Sequence, residues 1–139
     1  MGPVTILIRH ADIALPPAEN DPPLNAIGLS RAEKLSHVLG DVGLGAIYVT
    51  GARRTQQTAR PIAEKAQVPP QVIDSVDMVV AALLGLPASS TALVVGHANT
   101  VPEIITRLGG LQIAPIGPTE FDNLYLLVSG QLTHLRYTA

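Results

Sequence analysis

Three short stretches of the chain end in groups able to hold or attack an anion. In "VTILIRH" an apolar run, Val4 to Ile8, stops at Arg9-His10. In "LVVGH" the run Leu93-Val94-Val95 passes into Gly96-His97, and "IYVTGARR" ends in Arg53-Arg54. A guanidinium fork matches a tetrahedral oxyanion through two parallel hydrogen bonds. A neutral imidazole in the right tautomer is a nucleophile, and a second one can stabilise charge. Together these groups suit a phosphoryl dianion. Phosphoryl transfer asks mainly for positioning and charge stabilisation. A departing alkoxide also needs a proton, so a carboxylic acid is expected nearby.

The elements that carry these groups read as alternating strands and helices, an α/β pattern with a mainly parallel sheet. Strands are expected at Val4 to Arg9, Ala46 to Val49, Gln71 to Asp74 and Ala92 to Val95. Helical spacing is expected from Leu29 to Gly43, with Leu29, Ala32, Leu35 and Val38-Leu39 facing in and Arg31, Glu33 and Lys34 facing out. A second helix spans Arg53 to Ala66, where Pro61 should kink or split it. "VDMVVAALLG" and "TVPEIITRLGG" follow as helices, the second capped by Asn99 or Thr100. "LYLLVS" and "LTHLRYT", joined through Gly130-Gln131, read as an antiparallel pair at the sheet edge. The expectation is one domain over residues 1–139, a three-layer α/β/α sandwich with a mostly parallel sheet and an antiparallel C-terminal edge. Ligands of open α/β sheets sit beyond the carboxyl ends of the strands, where Arg9, His10, Arg54 and His97 all fall. The proline-rich connection Asp12 to Ala26 is long enough to be functional.

Four motifs, in order and spread over nearly the whole chain, resemble the histidine phosphatase, or phosphoglycerate mutase-like, superfamily. "LIRHADIA" resembles its RHG signature, and "LNAIGLSRAEKL" its LTxxGxxQA segment. "YVTGARRTQQTARPIAE" resembles SxxxRxxQTA, and "LVVGHANTV" the last histidine motif. The resemblance implies that His10 is the nucleophile, that Arg9 and Arg54 bind phosphoryl oxygens, and that His97 stabilises the transition state. It implies no cofactor and no metal. Ala11 stands where the family has Gly, Thr50 where it has Ser, and Ala98 where Gly or Ser is common. Many members carry an acidic residue after the third strand. In "VIDSVDMV" the nearest match is Asp77, with Asp74 the second choice. Asn99 is assigned either to the phosphate site or to its helix cap. The chain lacks room for the insertions that cover the site in mutases, which favours hydrolysis. Expected substrates are a small phosphorylated compound or a phosphohistidine protein. A binding module without turnover is the alternative, and a mutase the less favoured one.

The remaining features set bounds. With 14% charged residues and a net charge of −2, the chain has no basic surface for nucleic acid. It has no Cys, hence no disulfide or thiolate metal site. His10, Asp12 and His97 have the side-chain types of a metal site, but the neighbouring arginines would repel a divalent cation. No apolar run nears the roughly 20 residues that cross a bilayer, so no membrane partner is expected. A cytoplasmic location is the default, a trimmed export signal being left open. The C-terminal edge strands are able to pair across a homodimer. His37, His134 and Arg53 are read as surface groups, and Asp12 as either a partner of His10 or a solvated loop residue. Glu120 and Asp122 are placed near the pocket mouth with lower weight.

Overall fold

The computed structural model describes residues 3–139. A six-stranded sheet runs in the order β3-β2-β4-β1-β5-β6. The strands are β1 (Val4–Arg9), β2 (Ala46–Val49), β3 (Gln71–Val72), β4 (Thr91–Gly96), β5 (Asn123–Val128) and β6 (Gln131–Arg136). The helices are α1 (Ala26–Val38), α2 (Arg53–Ala66), α3 (Val76–Leu84) and α4 (Thr100–Gly109). β1 to β4 pair in parallel, and β5 and β6 add an antiparallel edge.

Both faces of the central strands are buried, which is why β1 and β4 read as continuous apolar runs rather than alternating ones. Side chains still alternate between faces. Ile6, Ile8, Ile47, Val49, Leu93 and Val95 pack with Leu35 and Leu39 at α1 and Ile62 of α2. Leu7, Tyr48 and Val94 meet Val79 and Leu83 of α3 and Ile104 and Ile105 of α4. Helices therefore cover each face, giving the three layers expected. The fold matches the α/β/α reading.

The elements differ from expectation in four places. α1 starts at Ala26 rather than Leu29, because the Asn25 side chain accepts the Gly28 N–H at 2.8 Å and caps the helix. Its inward face also differs: Gly28, Ala32, Leu35 and Ser36 are buried, Arg31 turns in, and Leu29 and Val38 are about half exposed. Pro61 lies inside an unbroken α2. Its lost N–H costs about 3 kcal/mol in a free helix, offset here by burial of Ala59, Ile62 and Ala63 against the sheet. β3 has only two residues, both exposed at the sheet edge.

Parallel pairing fixes the site. Arg9 of β1 lies opposite Gly96 of β4, and the His10 N–H donates to the Gly96 carbonyl at 2.8 Å. The residues that follow two neighbouring strands, His10 and His97, thus emerge side by side. β2 flanks β4 on its other side and delivers Thr50 and the start of α2. No helix among the described residues is long and apolar enough to cross a membrane.

Candidate active site

Arg9, His10, Arg54, His97 and Asn99 line one cleft of about 830 Å³ above these strand ends. The His10 and His97 rings lie edge to face with centroids 5.5 Å apart. His10 is 3% exposed. Its Nδ1 lies 2.8 Å from the Ala11 carbonyl oxygen. A carbonyl only accepts, so Nδ1 carries the proton and Nε2 keeps its lone pair. Burial, together with the nearby Arg9, His97 and Arg54, lowers the His10 pKa to about 3, although the Ala11 carbonyl opposes the shift. The ring is therefore neutral at pH 7.

The His97 ring has a determined tautomer as well. Arg54 Nη2 lies 3.4 Å from His97 Nδ1, and Arg only donates, so a neutral His97 protonates Nε2. That N–H points to Thr50 Oγ1 at 3.0 Å, and Thr50 Oγ1 lies 3.0 Å from Thr55 Oγ1. Thr55 in turn donates toward the Ala52 carbonyl at 2.9 Å. Burial first, then Arg54 and Arg9, lower the His97 pKa, with Asp74 acting against them.

Arg9 is buried and anchored from the far end of the chain. Its Nη1 donates to the carbonyls of Gly117, Pro118 and Glu120 at 3.0, 3.2 and 2.8 Å. The guanidinium carbon sits 4.1 Å from the centroid of the Phe121 ring. Its Nε is buried with no hydrogen-bond partner among the described residues. Burial and the Arg54 charge lower its pKa, against the pull of Asp12 and Glu120. Arg54 is more open, its side chain 23% exposed and 3.9 Å from an Asp21 oxygen.

The other residues of the motifs hold this geometry. Thr58 Oγ1 accepts the Ala11 N–H at 2.9 Å and donates to the Arg54 carbonyl at 2.7 Å, tying the turn after His10 to α2. Gln57 Oε1 accepts the Leu24 N–H at 2.7 Å. Asp12 does not face His10. It pairs with Arg31 at 2.7 Å, and Arg31 also donates to the Tyr137 carbonyl. The Ala11 methyl is fully buried with Ile13, Leu24, Ala32 and Phe121, so it fills space there without crowding the turn.

The expected acid is elsewhere. Asp77 sits at the start of α3, 83% exposed, and its carboxylate is held by Arg107. It does not line the cleft. The reason is local: Ser75 caps α3 by accepting the Met78 N–H, and Asp77 then points outward from the first turn. Asp74, the second choice, accepts the Gly51 N–H at 2.7 Å and also lies outside the cleft lining. Asn99 lines the cleft and makes no side-chain cap bond. Thr100 Oγ1 instead accepts the His97 N–H at 2.9 Å. Glu120 and Asp122 lie outside the cleft, Glu120 accepting from Gly117 and Asn123 and Asp122 from Arg136. Arg53 is tied to the loop rather than merely solvated: its N–H donates to Asp21 at 3.0 Å and its guanidinium pairs with Glu19 at 3.5 Å. Glu19, on the β1–α1 loop, lines the cleft and went unread in the sequence, where nothing in "PPAENDPP" sets it apart. No three His, Asp or Glu side chains converge among the described residues in a way that could hold a metal ion.

Comparison with solved structures finds the same fold at low identity. The protein histidine phosphatase SixA complexed with tungstate superposes with a TM-score of 0.76 at 21% identity, covering 98% of this chain and 96% of that one. The SixA protein of Agrobacterium tumefaciens gives 0.71 at 19%, covering 98% and 97%. A mycobacterial glucosyl-3-phosphoglycerate phosphatase gives 0.75 at 13%, covering 98% of each. A search of curated proteins by sequence finds no match. The family model of the histidine phosphatase superfamily (branch 1) matches residues 5–77, more than half of the chain and the part that carries Arg9, His10 and Arg54. The chain belongs to the histidine phosphatase superfamily, branch 1.

Proposed function

We propose that the protein hydrolyses phosphomonoesters or phosphohistidine through a phosphoryl group held transiently on Nε2 of His10. One observation carries this reading: the Ala11 carbonyl accepts the hydrogen bond of the Nδ1–H, so a neutral ring offers a lone pair at Nε2 beside two guanidinium groups. Nε2 attacks phosphorus in line with the leaving group. Arg9, Arg54 and His97 hold the three equatorial oxygens, and Asn99 adds a donor at the cleft wall. Water then attacks the phosphohistidine, and the bond to Nε2 breaks with its electron pair returning to the ring. A solved protein of the same fold is complexed with tungstate, a tetrahedral oxyanion, which supports an oxyanion as the class of ligand.

The Arg54–His97–Thr50 chain prepares the second imidazole. His97 Nδ1 accepts from Arg54. A bound dianion draws Arg54 toward itself and favours a proton on His97 Nδ1. His97 then becomes a second cationic donor to the transferring group. The cleft is broad and lies under one loop rather than a folded lid, which favours hydrolysis over a mutase that must shield its phosphoryl group from water.

Turnover in ¹⁸O-water tests the reading. Released phosphate carries one solvent oxygen, no isomerised phosphate ester forms, and His10→Ala abolishes release. Phosphate that binds while no ester or phosphoramidate is cleaved would assign the cleft to a binding module instead.

A further inference from the structure

We propose that Glu19 is the proton-transfer residue of the reaction, resting on the hydrolase reading above. Among the described residues, Glu19 is the one carboxylic acid that lines the cleft with His10, Arg54 and His97. The other carboxylates near the strand ends are committed elsewhere. Asp12 is held by Arg31, and Asp74 accepts the Gly51 N–H. Asp77 is held by Arg107, and Glu120 by Gly117 and Asn123. Glu19 reaches the cleft from the β1–α1 loop, not from the segment after β3.

Two contacts keep it there. Asp21 Oδ1 accepts the Arg53 N–H at 3.0 Å, in place of the side-chain cap that Ala52 cannot give α2. This fastens the loop to the N-terminus of the helix that carries Arg54. The Arg53 side chain then pairs with Glu19 at 3.5 Å. Neighbouring residues of α2 thus split the work: Arg54 faces the phosphoryl group, and Arg53 positions the carboxyl. Glu19 is 55% exposed, so it can exchange protons with solvent between steps.

The chemistry balances. As His10 Nε2 bonds to phosphorus, the phosphorus–oxygen bond of the ester breaks and its electron pair stays on the leaving oxygen. The Glu19 carboxyl proton passes to that oxygen. The resulting carboxylate takes a proton from water as the water oxygen bonds to phosphorus and the phosphorus–nitrogen bond breaks. The cycle restores a protonated Glu19 and a neutral His10.

The test is the dependence of kcat/KM on the leaving group, which reports the steps up to its departure. Glu19→Gln keeps the shape of the side chain and removes the transferable proton. Relative to wild type, it is expected to raise the preference for p-nitrophenyl phosphate over an alkyl phosphate by about 100-fold. Glu19→Asp restores part of the alkyl activity, and Arg53→Ala shifts the preference in the same direction by a smaller factor. A purely structural role would lower both substrates equally, and that result overturns the proposal, as does no change in preference. If the wild type cleaves neither substrate nor a phosphoramidate, the hydrolase reading falls and takes this inference with it; if it cleaves the phosphoramidate alone, only the assignment of Glu19 as the acid for an ester oxygen falls. If the wild type cleaves both and Glu19→Gln keeps its preference, only the assignment of Glu19 falls.

Discussion

Gly28→Ala tests how the turn after His10 is held. A Cβ on Gly28 would lie 2.2 Å from the Asp12 carbonyl oxygen, 2.9 Å from its nitrogen and 3.0 Å from its carbonyl carbon. These atoms are backbone, so no rotamer relieves the contact. Either α1 or the turn must move by about 1 Å to restore van der Waals separation. The Asp12 oxygen accepts the Asn25 N–H at 3.0 Å, and the Asp12 side chain is the partner of Arg31. Movement therefore strains the α1 cap and the ion pair together. Overpacking costs about 1–3 kcal/mol, and a weakened hydrogen bond adds about 1 kcal/mol. A total of about 2–4 kcal/mol corresponds to a Tm lowered by about 6–15 °C for a chain of this size. Asp12 lies two residues beyond His10, and a misplacement of about 1 Å at a reacting group costs on the order of 100-fold in rate. Thermal unfolding followed by circular dichroism, with kcat/KM measured well below the transition, reads both effects. Gly45→Ala is the control, because the nearest atom to its added Cβ is 3.8 Å away. A Gly28→Ala protein as stable and as active as the Gly45→Ala control would refute the argument.

Three further outcomes follow from the same geometry. Thr58→Val strands the buried Ala11 N–H, while the Arg54 carbonyl keeps its helical partner, so unfolding in urea should show a loss of about 1–3 kcal/mol, with kcat falling at least as steeply; an unchanged midpoint would contradict the tie between the turn and α2. Tyr137→Phe removes a buried hydroxyl with no hydrogen-bond partner among the described residues, so the variant should be as stable as wild type or up to about 1 kcal/mol more stable, and a clear loss would reveal a partner for that oxygen. His10 has a folded pKa of about 3 against an unfolded value of 6.5, so the unfolded chain binds the extra proton between those values. Its contribution to stability is complete above pH 6.5 and is lost as pH falls toward 3, at up to about 1.4 kcal/mol per pH unit. His97 shifts the same way. His10→Asn should therefore flatten the acid side of the stability curve, and a steeper curve would reverse the sign assigned here.

Much of the site was legible because parallel strands deliver their tips to one edge. Apolar runs ending in Arg9-His10 and Gly96-His97 required neighbouring outlets once β1 and β4 paired, and the helix start put Arg54 beside them. The acid was not legible. Distance along the chain after β3 suggested Asp77, yet the Ser75 cap set the rotation of α3 and turned that carboxylate to Arg107. Glu19 lies in a loop whose path depends on Asp21 capping α2, a contact between segments far apart in sequence. Arg31 read as a solvent residue because helical periodicity was counted from Leu29. The Asn25 cap moves the helix start, and the partly buried Asp12 carboxylate draws Arg31 inward. The grip of the Gly117–Glu120 carbonyls on Arg9 has no local sequence signal, since main-chain oxygens are present at every residue.

The most direct measurement of the central claim is the position of phosphate on the trapped enzyme. Mixing with a phosphoryl donor and quenching in alkali preserves a phosphoramidate, and NMR then distinguishes the two ring nitrogens. The hydrogen bond from His10 Nδ1 to Ala11 predicts phosphate on Nε2 of His10. Phosphate on Nδ1 of His10, or on His97, would contradict it.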